Sequence, residues 1–326
     1  MNNSLITISE MLLKEHEYKE VCLISHIHPD GDSLGSLLSL GLALKQIKDK
    51  NMTLALSDEI PPNFNFLPGI DLIQKIDNSK HFDLLIALDC ADKDRIGVDA
   101  NFLEKNVDII MNIDHHISNT RFGDYNLIVE NASSTGEIVY QLIRNINLII
   151  TPDIATCLYT AISTDTGSFK YDNASYETHL IISDLIKTGI DIGNINIELY
   201  QNRSLEKTKL FIESLNTLQL FHNNKIGIVT VTKEMFNRNN AKIQDADSIV
   251  EFIRDIDCIE VACILKEVEE NVVKVGLRSK RQVNVAAIAR VFYGGGHVKA
   301  AGCTIHDNVD NARSLILNQI TSELRW

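Results

Sequence analysis

The amino-acid sequence predicts a two-domain α/β protein, in which a doubly wound, mostly parallel sheet is followed by a smaller α/β domain. In the first half, short apolar strings alternate with longer stretches of helical spacing, a pattern typical of parallel sheets with helices on both faces. Residues 191–224 are polar, helix-prone and poor in glycine, which predicts a helical linker. The length of 326 residues suits two domains of ~150 residues each.

Five apolar strings predict the strands of the first domain, and two longer stretches predict helices between them. The strings are Val21–Ser25, Met52–Leu56, Leu84–Leu88, Val107–Ile113 and Leu127–Val129, and the helical stretches are Leu34–Ile47 and Ile138–Ile146. A helix around Thr178–Lys187, with Gly189 at its C-cap, closes this part of the chain. We therefore expect the first domain to span residues 1–190.

The second domain is expected at residues 225–326, where the strings KIGIVTVT, CIEVACILKEV and NVVKVGLRSK predict three strands. Residues Glu267–Asn271 are typical of a hairpin turn between the last two. A helix from Asn284 to Phe292, a short strand after the glycine cluster and a last helix ending near Arg325 complete the domain. At the other end of the chain, residues 1–20 predict an amphipathic helix and not a signal peptide.

Composition and charge exclude several classes of protein. No apolar run approaches the ~18–20 residues of a membrane span. The six scattered cysteines include no CxxC pair, so we expect reduced thiols in a cytoplasmic protein that has no membrane partner. The net charge of −13 disfavours long polyanions, because duplex binding normally needs a basic face. Any nucleic-acid ligand is therefore expected to be short and held locally.

Aspartate and histidine residues stand at the ends of these predicted elements. His26, Asp30 and Asp32 fall on a turn after the first strand. A helix that begins near Ser33, capped by Asp32 or Ser33, would explain only one of these side chains. Three later apolar strings are followed by similar residues. Asp89 follows LLIAL, Asp114, His115 and His116 follow VDIIMNI, and Asp165 comes shortly after CLYTAI. In a doubly wound sheet such ends lie together.

Carboxylates that meet at one edge of a sheet require cations. Two like charges ~4 Å apart repel by about 4 kcal/mol at an effective dielectric of ~20. Oxygen ligands with one or two imidazoles suit Mn²⁺, with Mg²⁺, Co²⁺ or Fe²⁺ as alternatives, and disfavour a thiolate zinc site. A pair of such ions would activate a bridging water and stabilise a displaced phosphoryl oxygen. The five carboxylates are those of Asp30, Asp32, Asp89, Asp114 and Asp165.

These motifs resemble those of the DHH phosphoesterase superfamily. The matching strings are HIHPDGDSLGS, ALDCADKDR, NIDHHISNTRFGD and AISTDTGSF in the first half, and GLRSK and FYGGGHVKAAG, which resemble the associated DHHA1 domain, in the second. The resemblance covers nearly the whole chain. It implies a DHH catalytic domain, a DHHA1 substrate-binding domain and the domain content of the nanoRNase group.

Carried over residue by residue, the resemblance implies two metal ions and a set of catalytic groups. One ion would be held by His26, Asp30 and Asp89, and the other by Asp32, Asp89, His115 and Asp165. Asp114 would orient a histidine, as carboxylates beside metal ligands commonly do. His116 would face the substrate phosphate and protonate the leaving oxygen. Asn119 would belong to the same substrate-facing strand end.

In the second domain the sharpest feature is the run Gly294-Gly295-Gly296-His297. Glycines allow backbone N–H groups to approach an anion closely, although a glycine run is also typical of a flexible turn. Arg278 and Ser279 on the neighbouring predicted strand favour the first interpretation, because a guanidinium binds phosphate through two parallel hydrogen bonds. We expect Arg278 and His297 to bind the far end of the ligand.

Three further positions are notable. The segment Ser133-Ser134-Thr135, followed by Glu137, is typical of a helix N-cap, with a role at the phosphate or beside a metal ligand as the alternative. His28 stands where the family pattern favours a small polar residue, and Ala161 stands where it favours glycine. Neither is an expected ligand.

The resemblance implies a metal-dependent phosphoesterase that hydrolyses short oligoribonucleotides to mononucleotides, and 3′-phosphoadenosine 5′-phosphate (pAp) to AMP, by attack of a two-metal-activated hydroxide. Alternatives are a phosphodiesterase of cyclic or linear dinucleotides, and an inorganic pyrophosphatase or exopolyphosphatase. A non-catalytic nucleotide-binding module would need a broken metal set, which the sequence does not have. The partners expected are short single-stranded RNA, dinucleotides and pAp, with a homodimer left open.

Overall fold

The protein is described by a computed structural model that covers residues 2–13, 18–48 and 50–324. The chain divides into two compact units, Met1–Asn202 and Arg203–Trp326. The division falls inside the stretch 191–224, for which the sequence predicts a linker. Within the described residues, no helix is both long enough and apolar enough to cross a bilayer.

The first unit is organised around a six-stranded parallel sheet, which confirms the predicted fold class. The strands are β1 Glu20–Ser25, β2 Asn51–Ala55, β3 Ile73–Gln74, β4 Phe82–Leu88, β5 Val107–Asp114 and β6 Tyr125–Ile128. The helices are α1 Asn2–Leu13, α2 Gly31–Leu44, α3 Ala100–Asn106, α4 Thr135–Asn145, α5 Pro152–Asp165, α6 Tyr176–Ile186 and α7 Ile192–Asn196. The sequence did not predict β3, and residues 14–17 of the predicted N-terminal helix lie outside the described residues.

The strand order fixes where a ligand can bind. The strands run β3-β2-β1-β4-β5-β6, so the chain winds outward from β1 in one direction and then returns to continue from β4 in the other. Ligands of doubly wound sheets bind outside the carboxyl ends of the strands at this point of reversal. His26 directly follows β1 and Asp89 directly follows β4. The order of the strands therefore places both residues at the binding edge.

Both faces of this sheet are buried, which explains the nearly continuous apolar character of its strands. On one face Leu23 and Ile86 lie in a core that α1, α2, α4 and α5 complete. On the other face Ile24 and Leu85 pack with Phe102 of α3. The sheet is thus a rigid platform for the side chains at its edge.

Small residues let three helices approach closely beneath that edge. A Cβ atom added to Gly35 of α2 would lie 2.4 Å from the carbonyl oxygen of Cys157 in α5. One added to Gly136 of α4 would lie 2.5 Å from the Cβ of Ala161 in α5. Ala161, which departs from the family pattern, is therefore accommodated by two glycines. The apolar stretch before Asp165 is the helix α5.

The second unit contains a six-stranded mixed sheet in the order β11-β12-β10-β9-β8-β7. Its strands are β7 Gln219–Phe221, β8 Ile226–Val231, β9 Val261–Glu269, β10 Val272–Ser279, β11 Gly295–His297 and β12 Ala300–Ile305. Its helices are α8 Leu205–Leu215, α9 Lys233–Asn239, α10 Ile249–Asp255, α11 Val285–Val291 and α12 Val309–Glu323. Helices α11 and α12 cover one face, and α8, α9 and α10 cover the other.

Several boundaries differ from the sequence predictions. The stretch 191–224, predicted to be wholly helical, also holds β7, which pairs with β8 in the second sheet. The hairpin turn between β9 and β10 is confined to Glu270 and Asn271, because β9 continues through Glu269 and so includes the first three residues of the predicted turn. The last helix ends at Glu323, and Arg325, its predicted end, lies outside the described residues.

Candidate active site

The turn after β1 delivers three polar side chains to the sheet edge. Asp30 is the N-cap of α2, since its Oδ1 accepts a hydrogen bond from the Ser33 N–H over 3.0 Å. The helix begins at Gly31, two residues before the predicted start near Ser33, so neither Asp32 nor Ser33 is the cap. Asp32 instead lies buried in the first turn of α2. The cap leaves the other oxygen of Asp30 available to a ligand.

His26 presents one ring nitrogen to the carboxylates. Its Nδ1 lies 2.7 Å from the carbonyl oxygen of Ile27 and must donate there, because a carbonyl only accepts. In the neutral ring, Nε2 then carries the lone pair. That atom lies 3.3 Å from Asp89 Oδ2 and 3.8 Å from Asp30 Oδ1. His26 is therefore held in the form that binds a metal ion.

Asp89 occupies the centre of the site. Its backbone is left-handed, with φ of 62°, a conformation that a non-glycine residue adopts at some energetic cost and that recurs at functional sites. Oδ2 faces His26, whereas Oδ1 lies 3.6 Å from His116 Nδ1 and 3.8 Å from His115 Nε2. Its two oxygens thus face different histidine side chains.

The first turn of α4 donates hydrogen bonds to two carboxylates of the site, those of Asp32 and Asp89. Asp32 accepts hydrogen bonds from the N–H groups of Thr135, over 2.7 Å, and Gly136, over 2.9 Å. The Thr135 hydroxyl donates to Asp89 Oδ1 over 2.9 Å. Ser134 is the N-cap, because its hydroxyl oxygen accepts from the N–H of Glu137. The predicted helix cap is thus present, and the same segment donates hydrogen bonds to two carboxylates of the candidate site.

His115 connects the remaining acidic residues. Its Nε2 lies 3.6 Å from Asp165 Oδ2 and 3.8 Å from Asp32 Oδ2. Its Nδ1 lies 3.3 Å from the carbonyl oxygen of Ala132, which again favours the proton on Nδ1. The structure therefore brings a second imidazole nitrogen to a second pair of carboxylates.

Asp114 is fully buried and fixes the loop that follows β5. Its Oδ1 accepts from the His115 N–H over 2.8 Å and lies 2.7 Å from His116 Nδ1. Its Oδ2 accepts from Asn119 Nδ2 over 2.6 Å. The Oδ1 of Asn119 is also engaged, because it accepts from the Arg121 N–H. The amide of Asn119, predicted to face substrate, is thus turned inward onto Asp114.

The structure brings together all six residues predicted to bind metal. Three overlapping groups each place one ligand atom per residue within 4.8 Å of the others: Asp89, Asp114, His115 and His116; His26, Asp30 and Asp89; Asp32, His115 and Asp165. Oxygen-rich sets that include imidazole fit divalent ions such as Mn²⁺ and Mg²⁺. The donors therefore suit a divalent metal centre. His28, by contrast, is exposed and lies 3.1 Å from Asp58.

Burial and mutual repulsion disfavour the charged forms of these acids. Burial raises the pKa of Asp32 well above its ordinary value, and the charges of Asp89 and Asp165 raise it further. Burial, followed by the charge of Asp30, raises the pKa of Asp89 in the same direction. Burial is also the main cause of the raised pKa of Asp165. Cations held among these groups would compensate the buried charge.

The pKa values of two neighbouring groups, Asp114 and His115, shift in the direction that favours their charged forms. Burial alone would raise the pKa of Asp114, but hydrogen bonds from His116 and Asn119 outweigh it, and the pKa is lowered. Burial alone would lower the pKa of His115, but the carboxylates of Asp32, Asp89 and Asp165 outweigh it, and the pKa is raised. Asp114 is therefore a stable anion beside His116.

The second unit contains a cavity of about 840 Å³ on its own sheet. It is lined by Arg278, Lys274 and Lys266, together with the glycine run. The Arg278 guanidinium is already oriented, because its Nε lies 2.9 Å and its Nη2 2.8 Å from Glu251 Oε1. Cations thus converge on one surface of a chain whose net charge is −13.

The remaining predicted substrate residues differ in their positions. Gly294, Gly295 and Gly296 line the cavity, but added Cβ atoms would clash with β12 at Gly294 and Gly296 and would meet open space at Gly295. His297 is exposed on β11 and is not one of the lining residues. Ser279 is buried, and its hydroxyl has no hydrogen-bond partner within the described part of the chain. Two of the glycines are thus required by strand packing.

Residues 20–162 match the N-terminal domain of the DHH family, and residues 224–322 match the DHHA1 domain. A bifunctional oligoribonuclease and PAP phosphatase NrnA from Thermus thermophilus is 32% identical over 93% of this chain and 90% of its own length. The chain belongs to the DHH family of phosphoesterases. The resemblance inferred from the motifs is confirmed, and both activities in the name of that relative are hydrolyses of phosphate esters.

Solved structures share this fold. An exopolyphosphatase-related protein from Bacteroides fragilis superposes with a TM-score of 0.92 at 24% identity, covering 99% of this chain and 96% of the other. The exonuclease RecJ, in a structure bound to manganese, superposes with a TM-score of 0.53 at 11% identity, covering 99% and 95% of the two chains. At these identities the likeness is one of fold.

Proposed function

We propose that this DHH phosphoesterase hydrolyses short oligoribonucleotides to mononucleotides and pAp to AMP. The observation that carries the proposal is the convergence of His26, Asp89, His115 and Asp165 at the reversal point of the first sheet. The identity of 32% to a bifunctional oligoribonuclease and PAP phosphatase, over nearly the full length of both chains, supports the substrate class.

The metal centre is proposed to hold two divalent ions. His26, Asp30 and Asp89 would hold one, and Asp32, Asp89, His115 and Asp165 the other, with Asp89 shared because its two oxygens face different groups. Mn²⁺ is the proposed metal, since the donors are mostly oxygen with one imidazole per group and RecJ has the same fold in a structure bound to manganese. When bound, such ions supply the positive charge that activates water and stabilises a displaced phosphoryl oxygen.

The residues of the chain prepare the proton transfer. Asp114 stays anionic and accepts from His116 Nδ1, so the tautomer and orientation of that ring are set before substrate arrives. Nε2 of a protonated His116 can then donate to the leaving oxygen. Asn119 is assigned to the same task, because its amide holds the other oxygen of Asp114. Its role is to position the acid–base pair.

The second unit is proposed to bind the far end of the substrate. Arg278 lines the cavity with its guanidinium already fixed by Glu251, so less side-chain freedom is lost when it binds a phosphate. Gly295 is the glycine beside which a ligand finds open space. Short ligands are proposed, because the net charge of −13 disfavours long polyanions while this cavity offers a local group of cations. The reaction is proposed to occur in the cytoplasm, where the six free cysteines would stay reduced.

A turnover assay tests the substrate class. Wild-type protein with Mn²⁺ is offered a diribonucleotide, a ten-nucleotide RNA, pAp, a cyclic dinucleotide and pyrophosphate, side by side at equal concentration. The proposal requires release of mononucleotides from the diribonucleotide and of AMP from pAp, at rates well above those on the other substrates. Preferred turnover of pyrophosphate or of the cyclic dinucleotide would replace it with the corresponding alternative.

A further inference from the structure

Tyr293 stands immediately before the glycine run and belongs to the residues that line the cavity of the second unit. Its side chain is fully exposed, whereas the preceding Phe292 packs against the core under β10 and β12. An aromatic ring that is fully in water contributes nothing to the packing of the fold. Packing in the core therefore does not explain why a tyrosine stands at position 293.

The backbone of Tyr293 makes the choice of residue more unusual. Helix α11 ends with Phe292 as its C-cap, and Tyr293 follows in the left-handed conformation with φ of 58°. The N–H of Gly294 donates to the carbonyl oxygen of Ala289 over 2.9 Å, which completes a typical helix stop. Glycine is the usual residue at this position, because a side chain there is strained. Tyrosine is thus unfavourable for the local backbone and unused by the core.

The surroundings of the ring suit a nucleotide. Arg278, Lys274 and Lys266 line the same cavity, although Lys266 is also paired with Asp247 over 2.6 Å. Such cations bind phosphate oxygens by charge-assisted hydrogen bonds. Proteins that bind single-stranded nucleic acids without sequence preference combine positive charge along the backbone with aromatic rings on which bases stack. The cavity offers both kinds of contact within a single unit of the chain.

We propose that the ring of Tyr293 stacks on a nucleobase of the substrate while the cations of the cavity bind its phosphate. This inference deepens the proposed function and rests on it. The stacking surface accepts any base, because every base has a π face, so it selects nucleotides over phosphates that have no base. Tyr293 is thereby the residue that distinguishes a nucleotide from inorganic phosphate in this cavity.

Three variants test the stacking. Tyr293→Gly removes the ring and relieves the backbone, Tyr293→Phe retains the ring as the conservative rescue, and Asn240→Gly is the matched control. Asn240 also ends a helix, α9, in the left-handed conformation, with φ of 50°, and is not one of the residues that line the cavity. Each is assayed with Mn²⁺ on pAp and on abasic 1,2-dideoxyribose 3′,5′-bisphosphate. Binding of AMP and of ribose 5-phosphate is measured separately by calorimetry, and melting temperature reports the fold.

We expect Tyr293→Gly to raise KM for pAp, and Kd for AMP, about ten-fold, with kcat, the abasic substrate and ribose 5-phosphate changed less than two-fold. Its melting temperature should equal or exceed that of the wild type, and Tyr293→Phe should restore most of the lost binding. Unchanged KM for pAp and Kd for AMP, or equal losses on the abasic ligands, would overturn the stacking. If the wild type cleaves neither pAp nor a dinucleotide, the proposed function fails, and the AMP titrations alone then decide on Tyr293.

Discussion

The hydroxyl of Thr135 donates a hydrogen bond to Asp89 Oδ1 over 2.9 Å, and both side chains are buried. The two residues are 46 positions apart in the chain, yet the hydroxyl group of one residue in α4 holds an oxygen of the central carboxylate. The same residue also donates its N–H to Asp32. The first turn of α4 thus positions two carboxylates of the proposed metal centre although it supplies no expected ligand.

Thr135→Val tests this contact. The substitution keeps the size of the side chain and the N–H bond to Asp32, and it removes only the donor to Asp89. Outer contacts of this kind are worth about 10–100-fold in metal affinity or activity, so a loss in that range is expected in a Mn²⁺ titration by calorimetry and in kcat with pAp. Thr188→Val serves as the control, because the Thr188 hydroxyl donates only to Leu185 O, away from the site. Equal Mn²⁺ affinity in both variants would contradict the assignment.

Asp89→Asn removes the shared charge while retaining the shape and a residue type that tolerates positive φ. Turnover of pAp with Mn²⁺ should fall by about 10³-fold or more, since several kcal/mol of charge stabilisation depend on the metal centre. The metal-free variant should be at least as stable as the metal-free wild type in urea, because burial disfavours the Asp89 charge. Activity within ten-fold of the wild type would rule out a shared ligand at Asp89.

The raised pKa values of the buried acids predict how stability depends on pH when metal is absent. Asp32, Asp89 and Asp165 have folded pKa values above the unfolded value of about 3.9, so the folded state retains protons that the unfolded state has lost. Their contribution is complete below the unfolded pKa and is lost as pH rises through the folded pKa. The raised pKa of His115 acts in the same direction.

In EDTA, the urea midpoint is therefore expected to fall as pH rises from about 5 to 8, whereas the midpoint with Mn²⁺ falls less, so that the difference between the two grows. Asp114 has a lowered pKa and is ionised throughout this range, so it does not alter the slope. Asp89→Asn in EDTA should show a shallower decline. A midpoint in EDTA that rises over this interval would contradict the assignment of buried, protonated acids.

Arg278→Ala tests whether the second unit contributes to substrate binding and not to the chemical step. A charge-assisted bond is worth about 1.5–3 kcal/mol, so KM for pAp should rise about ten-fold or more, while kcat should stay within two-fold if the bond serves ground state and transition state alike. Arg254→Ala is the matched control on α10, because Arg254 pairs with Asp255 outside the cavity. An unchanged KM would remove Arg278 from substrate binding.

Much of the fold could be predicted because its causes are local. The strings before Asp89 and Asp114 are mostly apolar, as is typical of strands buried on both faces, and each ends abruptly in charge. Strand β3 could not be predicted, because two residues carry no periodicity. The stretch before Asp165 is equally apolar, and such a run does not by itself distinguish a buried helix from a buried strand.

The site was predictable in its residue types and not in its hydrogen bonds. Metal-binding side chains are recognisable from their chemistry, whereas the contact of Thr135 with Asp89 depends on how α4 meets the sheet. The inward turn of Asn119 likewise depends on a buried partner, Asp114, that a linear pattern does not reveal. Tyr293 gave no signal in the sequence, because an exposed tyrosine becomes unusual only when its backbone conformation is known.

The small residues where α2, α4 and α5 cross have a consequence for the choice of ion. Asp32 lies one turn before Gly35, Thr135 directly precedes Gly136, and Asp165 lies one turn beyond Ala161, so these helix contacts help to set the distances among the candidate ligands Asp32 and Asp165 and the residue that holds Asp32 and Asp89. In the proposed metal centre, the bulk of these small residues would therefore influence which cationic radius the ligands accept. Exchanging them would retune the preference between a larger and a smaller divalent ion while leaving every donor atom in place.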